Sequence, residues 1–362
     1  MKKEQKNEKI TFVVPAFNAE ATLQRTIDSI LHQTDSRYKI VIINDGSTDN
    51  TDRIGRKYQK EYPHKVTYCY QQNKGLGGAR NQGMTLVETE YVSFLDSDDW
   101  LMPEYVEHIM TQLEVHADTD IEMIMTLPQI YHERSKIVRD WYDKELFQTV
   151  FKQDGDIINP QTIPEIYQFE VNQCRKVLQM NFIKRINFQF REEIKWEDVF
   201  PHFYLLSQCT KCMGVGSVGF YYRIGGSGQI TASRGIDRLD FLIVMADLLT
   251  YIEQEKRETL KFPVMRVFVR FAIWGIRMAD TDIRKRLVKE LHKMFKRIPK
   301  DYYKKLQRGC KESFSKADTR QYQLFMIAIR YRMLNVIFYD YLYQDMGEKI
   351  IKKMLGARER VA

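Results

Sequence analysis

The first 127 residues alternate short apolar runs with amphipathic helical patterns, and this alternation restricts the fold more than any other feature. Residues 10–14 read as a buried strand, and Leu23, Ile27, Ile30 and Leu31 follow at helical spacing. Residues 40–43 form a second strand. Ser47 or Thr48 can cap a helix carrying Ile54, Tyr58 and Tyr62, and residues 66–70 are a third strand. A glycine-rich turn opens a helix near Gly77, residues 91–95 are a fourth strand, and Pro103 begins another helix. Such alternation predicts an α/β fold built on a mostly parallel sheet with helices on both faces. Ligands of such sheets bind beyond the carboxyl ends of the strands.

Three regions follow from the pattern. Residues 1–115 carry the strand–helix alternation. In 116–234 charged and aromatic segments alternate with short strands, 213–223 among them. From 235 to 362 the chain turns helical, with Leu239, Leu242, Ile243, Met245, Ala246 and Leu249 on one stripe and Val267, Phe268, Phe271, Trp274 and Gly275 continuing it. With 362 residues, 44% hydrophobic and 29% charged, the chain has the composition of a globular protein. Its net charge of +8 suits an anionic partner. The five cysteines, scattered and odd in number, point to a reducing compartment. The lone Cys209-Thr210-Lys211-Cys212 reads as buried thiols and not as a metal site. The charged start lacks the apolar core of a signal peptide, and residues 322–342 are interrupted by Arg330, Arg332 and Asp340. The expectation is a soluble cytoplasmic protein, peripheral to a membrane at most.

The fourth strand ends abruptly in Asp96-Ser97-Asp98-Asp99. Adjacent carboxylates repel, and such a cluster persists most readily around a divalent cation; hard oxygen ligands suit Mg²⁺ or Mn²⁺. The competing reading is an acidic turn ahead of a helix. Three more loops fall at strand ends. Pro15, Phe17, Asn18 and Glu20 follow the first strand, where Phe17 can lie against a flat base or Asn18 can cap a helix. Asp45 ends the second strand, where its carboxylate can accept from a base imide or a ribose hydroxyl. In Lys74-Gly75-Leu76-Gly77-Gly78-Ala79-Arg80 small residues admit a ligand to the backbone, and the two cations suit a diphosphate. Gly75-x-Gly77 is not a dinucleotide fingerprint, which belongs after the first strand and needs a glycine where Arg80 stands.

In this order and spacing, the four loops resemble the inverting family 2 glycosyltransferases of GT-A fold over about the first 110 residues. The resemblance implies that Asp96-Ser97-Asp98 is the DxD motif, with Asp98 on Mn²⁺ or Mg²⁺ and Asp96 on the metal or the nucleotide. It further implies that Asp99 orients the donor sugar, that Pro15, Phe17, Asn18 and Glu20 surround the nucleoside, and that Asp45 reads the base. Phe17 stands where many members have Tyr. Residues 1–115 would then be the nucleotide-sugar-binding half, 116–234 the acceptor and catalytic-base half, and 235–362 a helical region.

Inverting transfer needs a carboxylate to take the acceptor's proton. Trp196-Glu197-Asp198-Val199 before an apolar helical run resembles the family's ED motif, which makes Asp198 the base and Glu197 the fallback. The competing reading is an acidic helix N-terminus. Arg223, in Tyr221-Tyr222-Arg223-Ile224-Gly225-Gly226-Ser227, can reach the diphosphate or belong to a surface strand and turn. His202 reads as structural. The partners implied are a nucleotide-sugar donor, UDP-linked, and a glycan, lipid-linked sugar or glycoprotein acceptor in bacterial surface-polysaccharide or glycoprotein assembly. Nucleic acid is not expected. The basic clusters at Lys285-Arg286, Lys349 with Lys352-Lys353, and Arg358 with Arg360 are solvated helix faces or contacts to anionic lipid. The alternatives are a nucleotidyltransferase, which should show a basic glycine-rich loop after the first strand, and an inactive glycan-binding scaffold, against which Asp96, Asp98 and Asp198 speak.

Overall fold

The structure, a computed structural model, describes residues 8–226 and 233–296. The chain divides into two compact units between residues 229 and 230. In chain order the first contains β1 (Ile10–Ala16), α1 (Leu23–Leu31), β2 (Tyr38–Asp45), α2 (Thr51–Glu61), β3 (Val66–Gln71), α3 (Gly75–Thr85), β4 (Tyr91–Phe94), β5 (Trp100–Leu101), α4 (Tyr105–Val115) and β6 (Met123–Thr126). There follow β7 (Gln129–His132), β8 (Val138–Asp140), α5 (Lys144–Val150), β9 (Ile157–Ile158), β10 (Lys176–Gln179), α6 (Met180–Arg185), α7 (Val199–Gln208), β11 (Cys212–Val215) and β12 (Phe220–Ile224). The second unit holds α8 (Asp240–Gln254), α9 (Lys261–Met278) and α10 (Thr281–Lys296).

The main sheet has eight strands in the order β3-β2-β1-β4-β10-β6-β11-β9. Its first four strands are parallel, and β10 enters antiparallel between β4 and β6. The sheet thus runs across residue 115. Every residue of β1 and β4 is buried, as expected where helices cover both faces of a sheet. Phe12, Val14, Ile40, Ile42, Leu23 and Ile27 form part of the core beneath α1. A smaller sheet, β5-β12-β7-β8, holds the chain just after the acidic turn: β5 begins at Trp100 and pairs antiparallel with β12. The 213–223 segment, read above as a strand, is two strands in different sheets, because the stretch with Gly216 and Gly219 breaks the run.

Helix caps also differ from expectation. Thr22 and Asn50 occupy the caps of α1 and α2, with no side-chain capping bond. Asn18, Ser47 and Thr48 instead join loop to loop. In the second unit α8 buries Phe241, Val244, Met245, Leu248 and Ile252, while Ile243 is 43% exposed. The expected stripe was displaced because apolar residues surround most of that helix. Lys285 and Arg286 are exposed on α10, opposite buried Leu287, Val288 and Leu291. The other basic clusters, Cys310 and Ser227 lie outside the described residues. Among the described residues no helix is long and apolar enough to cross a membrane.

Helix α3 is set by two close approaches. A Cβ on Gly83 would lie 2.2 Å from Val13 Cγ1, and one on Gly77 would lie 2.1 Å from the carbonyl oxygen of Arg191. Gly77 thereby lets the 188–198 segment lie against the helix. Gly77→Ala should cost about 1–3 kcal/mol by overpacking. Thermal unfolding should show that loss, and proteolysis should quicken within 188–198; unchanged stability and cleavage would refute the close approach.

Candidate active site

The expected loops converge at the carboxyl ends of the parallel strands. The first two are laced together. Asn18, at φ +49°, donates its N–H to Ser47 Oγ (2.9 Å), and its side-chain oxygen accepts from the Thr48 N–H (2.8 Å). Glu20 accepts from the Asn50 N–H (3.0 Å), and Ala19 donates its N–H to Thr51 Oγ1 (2.8 Å). Pro15 is buried in β1 opposite Ile43, and Phe17 emerges 52% exposed. Asp45 is buried, and its Oδ1 accepts from Gln71 Nε2 (2.7 Å) and the Lys74 N–H (2.9 Å). It therefore fixes the loop that leads to Gly75, whose φ of +74° starts α3. Lys74 faces Glu192 at 3.5 Å.

Arg80 is the centre of the arrangement. It is 2% exposed; Nη2 contacts Asp96 Oδ1 at 2.9 Å, and Nη1 contacts Glu197 Oε1 at 2.7 Å. Burial alone works against its charge, but Asp96 and Glu197 outweigh burial and hold the guanidinium firmly protonated. Asn81 exchanges two hydrogen bonds of 2.8 Å with the backbone of Phe190, which aligns the 188–198 segment with α3. Trp196, at φ +67°, then turns the chain into Glu197 and Asp198. A non-glycine residue in that region carries strain of the kind that gathers at functional sites.

Asp198 sits at the N-cap of α7 but makes no side-chain capping bond, so helix capping does not account for its carboxylate. Burial pushes its pKa up to about 7, with the neighbouring Glu197 carboxylate adding to the rise. Glu197 is engaged by Arg80, which leaves Asp198 as the carboxylate better placed to take up a proton. His202 is fully buried against the Tyr167 carbonyl, as a structural histidine should be.

The acidic turn is braced by the second sheet. Asp99 is fully buried; its Oδ1 accepts from the Arg223 N–H (2.9 Å), and its Oδ2 has no hydrogen-bond partner among the described residues. Arg223 Nε donates to Glu133 (2.7 Å), and its Nη1 approaches Asp98 Oδ2 at 3.6 Å. Arg25 reaches the Asp98 carbonyl (3.3 Å) and covers the Trp100 ring at 3.9 Å. Burial, then repulsion by Asp96, raises the Asp98 pKa to about 6. Burial, then Asp98 and Asp96, raises that of Asp99 well above the usual range. Ser97 lies half-buried at the tip of the turn.

A metal fits this turn chemically. Three carboxylates crowd together, and a buried oxygen of Asp99 is unsatisfied. Ligand atoms of Asp96, Asp99 and Cys174 lie within 4.8 Å of one another. Oxygens of this kind suit a hard divalent ion. The Cys174 thiol is buried, its pKa is pushed up mainly by burial, and as a soft donor it suits such an ion less well than the carboxylates do.

Sequence reasoning passed over Arg25, Glu133, Cys174 and Lys176. Arg25 and Glu133 look like ordinary surface charges, whereas Arg175-Lys176 entering an apolar strand was a readable signal. The Cys209 and Cys212 thiols are buried, as expected.

Residues 11–182 match the family described as Glycosyl transferase family 2. The chain is 42% identical over 113 residues to Glycosyltransferase GlyA of Streptococcus pneumoniae, which covers 31% of this chain and only 16% of that protein. Its fold is similar to that of S. aureus TarS 1-349 in complex with UDP-GlcNAc (TM-score 0.65, 18% identity, 89% of this chain and 91% of that one). It is also similar to the mannosyltransferase PcManGT of Pyrobaculum calidifontis, in complex with GDP-Man and Mn²⁺ (TM-score 0.52, 14% identity, 91% and 87% covered). The fold is GT-A-like.

Removing the guanidinium would leave the buried Glu197 and the half-buried Asp96 carboxylates without their cation. Arg80→Met should destabilise the first unit by about 3–5 kcal/mol at pH 8. The loss should shrink toward pH 5, where unpaired carboxylates can take up protons. Denaturant unfolding at both pH values checks this; an equal loss at both would mean that the charges are not what Arg80 compensates.

Proposed function

We propose that this chain is a metal-dependent inverting glycosyltransferase. It would move a sugar from a nucleotide-diphosphate donor, UDP-linked in our reading, to a hydroxyl of a glycan, lipid-linked sugar or glycoprotein in surface-glycan assembly. The observation that carries the proposal is the Arg80 bridge, because one buried side chain ties the acidic turn to the Glu197-Asp198 pair about a hundred residues away. Such a reaction would take place in the cytoplasm, close to the membrane face that bears lipid-linked acceptors.

When bound, Mn²⁺ or Mg²⁺ would neutralise the diphosphate and stabilise the charge it gains on leaving. Asp98 with Asp96 would hold the ion. The chain's own groups do the rest. Phe17 offers a face to the base, and Asp45 presents its remaining oxygen to the nucleoside. Lys74, at the N-terminus of α3, and Arg223 supply positive charge for the phosphates. Asp198 takes the acceptor's hydroxyl proton as that oxygen bonds to the anomeric carbon. The anomeric bond to the diphosphate breaks on the opposite face. The products are an inverted glycoside, a nucleoside diphosphate and a protonated Asp198.

The test uses the full chain with a panel of nucleotide sugars and Mn²⁺, reading nucleotide release. TarS, complexed with UDP-GlcNAc, puts UDP sugars first, and PcManGT makes GDP-mannose the comparator. Metal-dependent release from one donor, lost in Asp98→Ala, is the expected result. No release from any donor, with surface glycans supplied as acceptors, would overturn the reading.

For the base, Asp198→Asn should keep nucleotide binding and lower transfer by about 10²–10⁴-fold. Because the base works ionised and its pKa is raised to about 7, kcat/KM should climb with pH and level off above neutrality. A variant that transfers at the wild-type rate would remove Asp198 from that role.

A further inference from the structure

Glu133, just beyond β7, stands outside the acidic turn yet meets three cations. Its Oε1 accepts from Lys136 Nζ (2.6 Å), its Oε2 accepts from Arg223 Nε (2.7 Å), and Arg25 Nη1 approaches Oε2 at 3.9 Å. Its backbone is fixed as well. The N–H donates to the Ile224 carbonyl (2.9 Å), continuing the β7–β12 pairing in which Tyr131 faces Arg223 and His132 faces Ile224. The hydrogen bonds from Lys136 and Arg223 hold the Glu133 pKa down to about 2, so the carboxylate is ionised across the neutral range.

The pair with Lys136, three residues on in the chain, is an ordinary surface contact of little energetic weight. The contact with Arg223 is not of that kind. The arginine side chain is only 12% exposed, its backbone N–H is held by Asp99 Oδ1, and a Cβ on Gly226 would lie 2.5 Å from its guanidinium carbon. The turn after β12 therefore lies close over the guanidinium. Within that enclosure Nη1 stops 3.6 Å from Asp98 Oδ2. A direct, charge-assisted hydrogen bond would need about 2.8 Å. Arg223 is thus drawn to Glu133 and held short of Asp98.

We infer that Glu133 is a positioning residue that restrains Arg223 short of Asp98 and so keeps that carboxylate open to a divalent cation. The inference deepens the reading of Asp98 as a metal ligand and rests on it. At its present distance Arg223 is near enough to oppose repulsion within the turn and too far to occupy the oxygen that a metal would take. With the Glu133 charge removed, Arg223 loses its shortest ion pair, and Asp98 is the carboxylate next within its reach. The pair that then forms competes with the metal for Asp98. Two functions of one arginine, balancing the acidic turn and leaving it loadable, therefore depend on a carboxylate from the neighbouring strand.

The experiment reads Mn²⁺ affinity without any donor, from the EPR signal of free Mn²⁺ titrated into the full chain, with Asp98→Ala marking the specific site. Glu133→Gln should weaken binding about fivefold or more. Glu133→Ala, which also removes the accepting oxygen, should weaken it at least as much. Adding Arg223→Gln to either variant should return the affinity to the wild-type level or tighter, since no guanidinium is left to close on Asp98. A loss of equal size with and without Arg223 would make Glu133 a through-space charge and overturn the inference. So would unchanged affinity in folded Glu133 variants, or unfolding of both, which would assign the residue to the fold. If the wild type binds Mn²⁺ no better than Asp98→Ala, the metal reading of Asp98 fails and the inference falls with it. If the affinity pattern holds while no nucleotide sugar is turned over, the glycosyltransferase reading fails and the restraint stands.

Discussion

The geometry of the site depends on one guanidinium sealed inside the first unit. Burying Arg80 is favourable only because two carboxylates meet it with good geometry, one from the turn after β4 and one from the segment before α7. The rings of Phe94 and Phe190 lie 5.8 and 5.4 Å from the guanidinium and shield the cluster from water, which strengthens both ion pairs. Helix α3 is therefore more than a cover for β1 and β2. It is the element through which a donor loop and a distant carboxylate pair share one position, and Gly77 and Asn81 exist on it to let the second segment approach.

The second sheet solves a different problem. A turn with three acidic residues among four would splay if left to itself, yet Asp99 is fully buried. The turn leads straight into β5, and β5 pairs with β12, so the Arg223 backbone lies beside Asp99 and its side chain runs toward Asp98. Glu133 from just after β7 then restrains that arginine. The repulsion is thus opposed by a cation fixed to a separate sheet, Arg223, and by Arg25 from α1. Among the described residues one Asp99 oxygen has no hydrogen-bond partner, a position that suits a cation or a proton.

Much of this could be read in the chain. Strand-and-helix alternation gave the parallel core, and four suspicious loops fell at the strand ends because periodicity and turn chemistry are local properties. What escaped was non-local. Asn18 looks like a helix cap in isolation, but it ties the first loop to the second. Nothing local to Arg80 shows that it will meet Glu197. That meeting requires β10 to insert antiparallel beside β4, a pairing between segments more than eighty residues apart. The Met213–Arg223 run likewise concealed a change of sheet, since a short glycine-bearing loop costs little apolar pattern.

The same non-local packing explains why Asp198 differs from an ordinary acidic helix start. A carboxylate at an N-cap normally bonds to the first-turn N–H groups and is stabilised as the anion. Asp198 makes no such bond, lies two residues after Trp196 at φ +67°, and stands next to Glu197 in a partly buried position. An acid whose folded pKa exceeds its unfolded value binds its proton more tightly in the native state. Its contribution to stability is therefore lost as pH rises from about 4 through 7. The fold carries an ionised Asp198 at a cost, in a place where a neutral residue would serve stability better. A capping network would have removed that cost by lowering the pKa, and with it the proton affinity that a base at neutral pH requires.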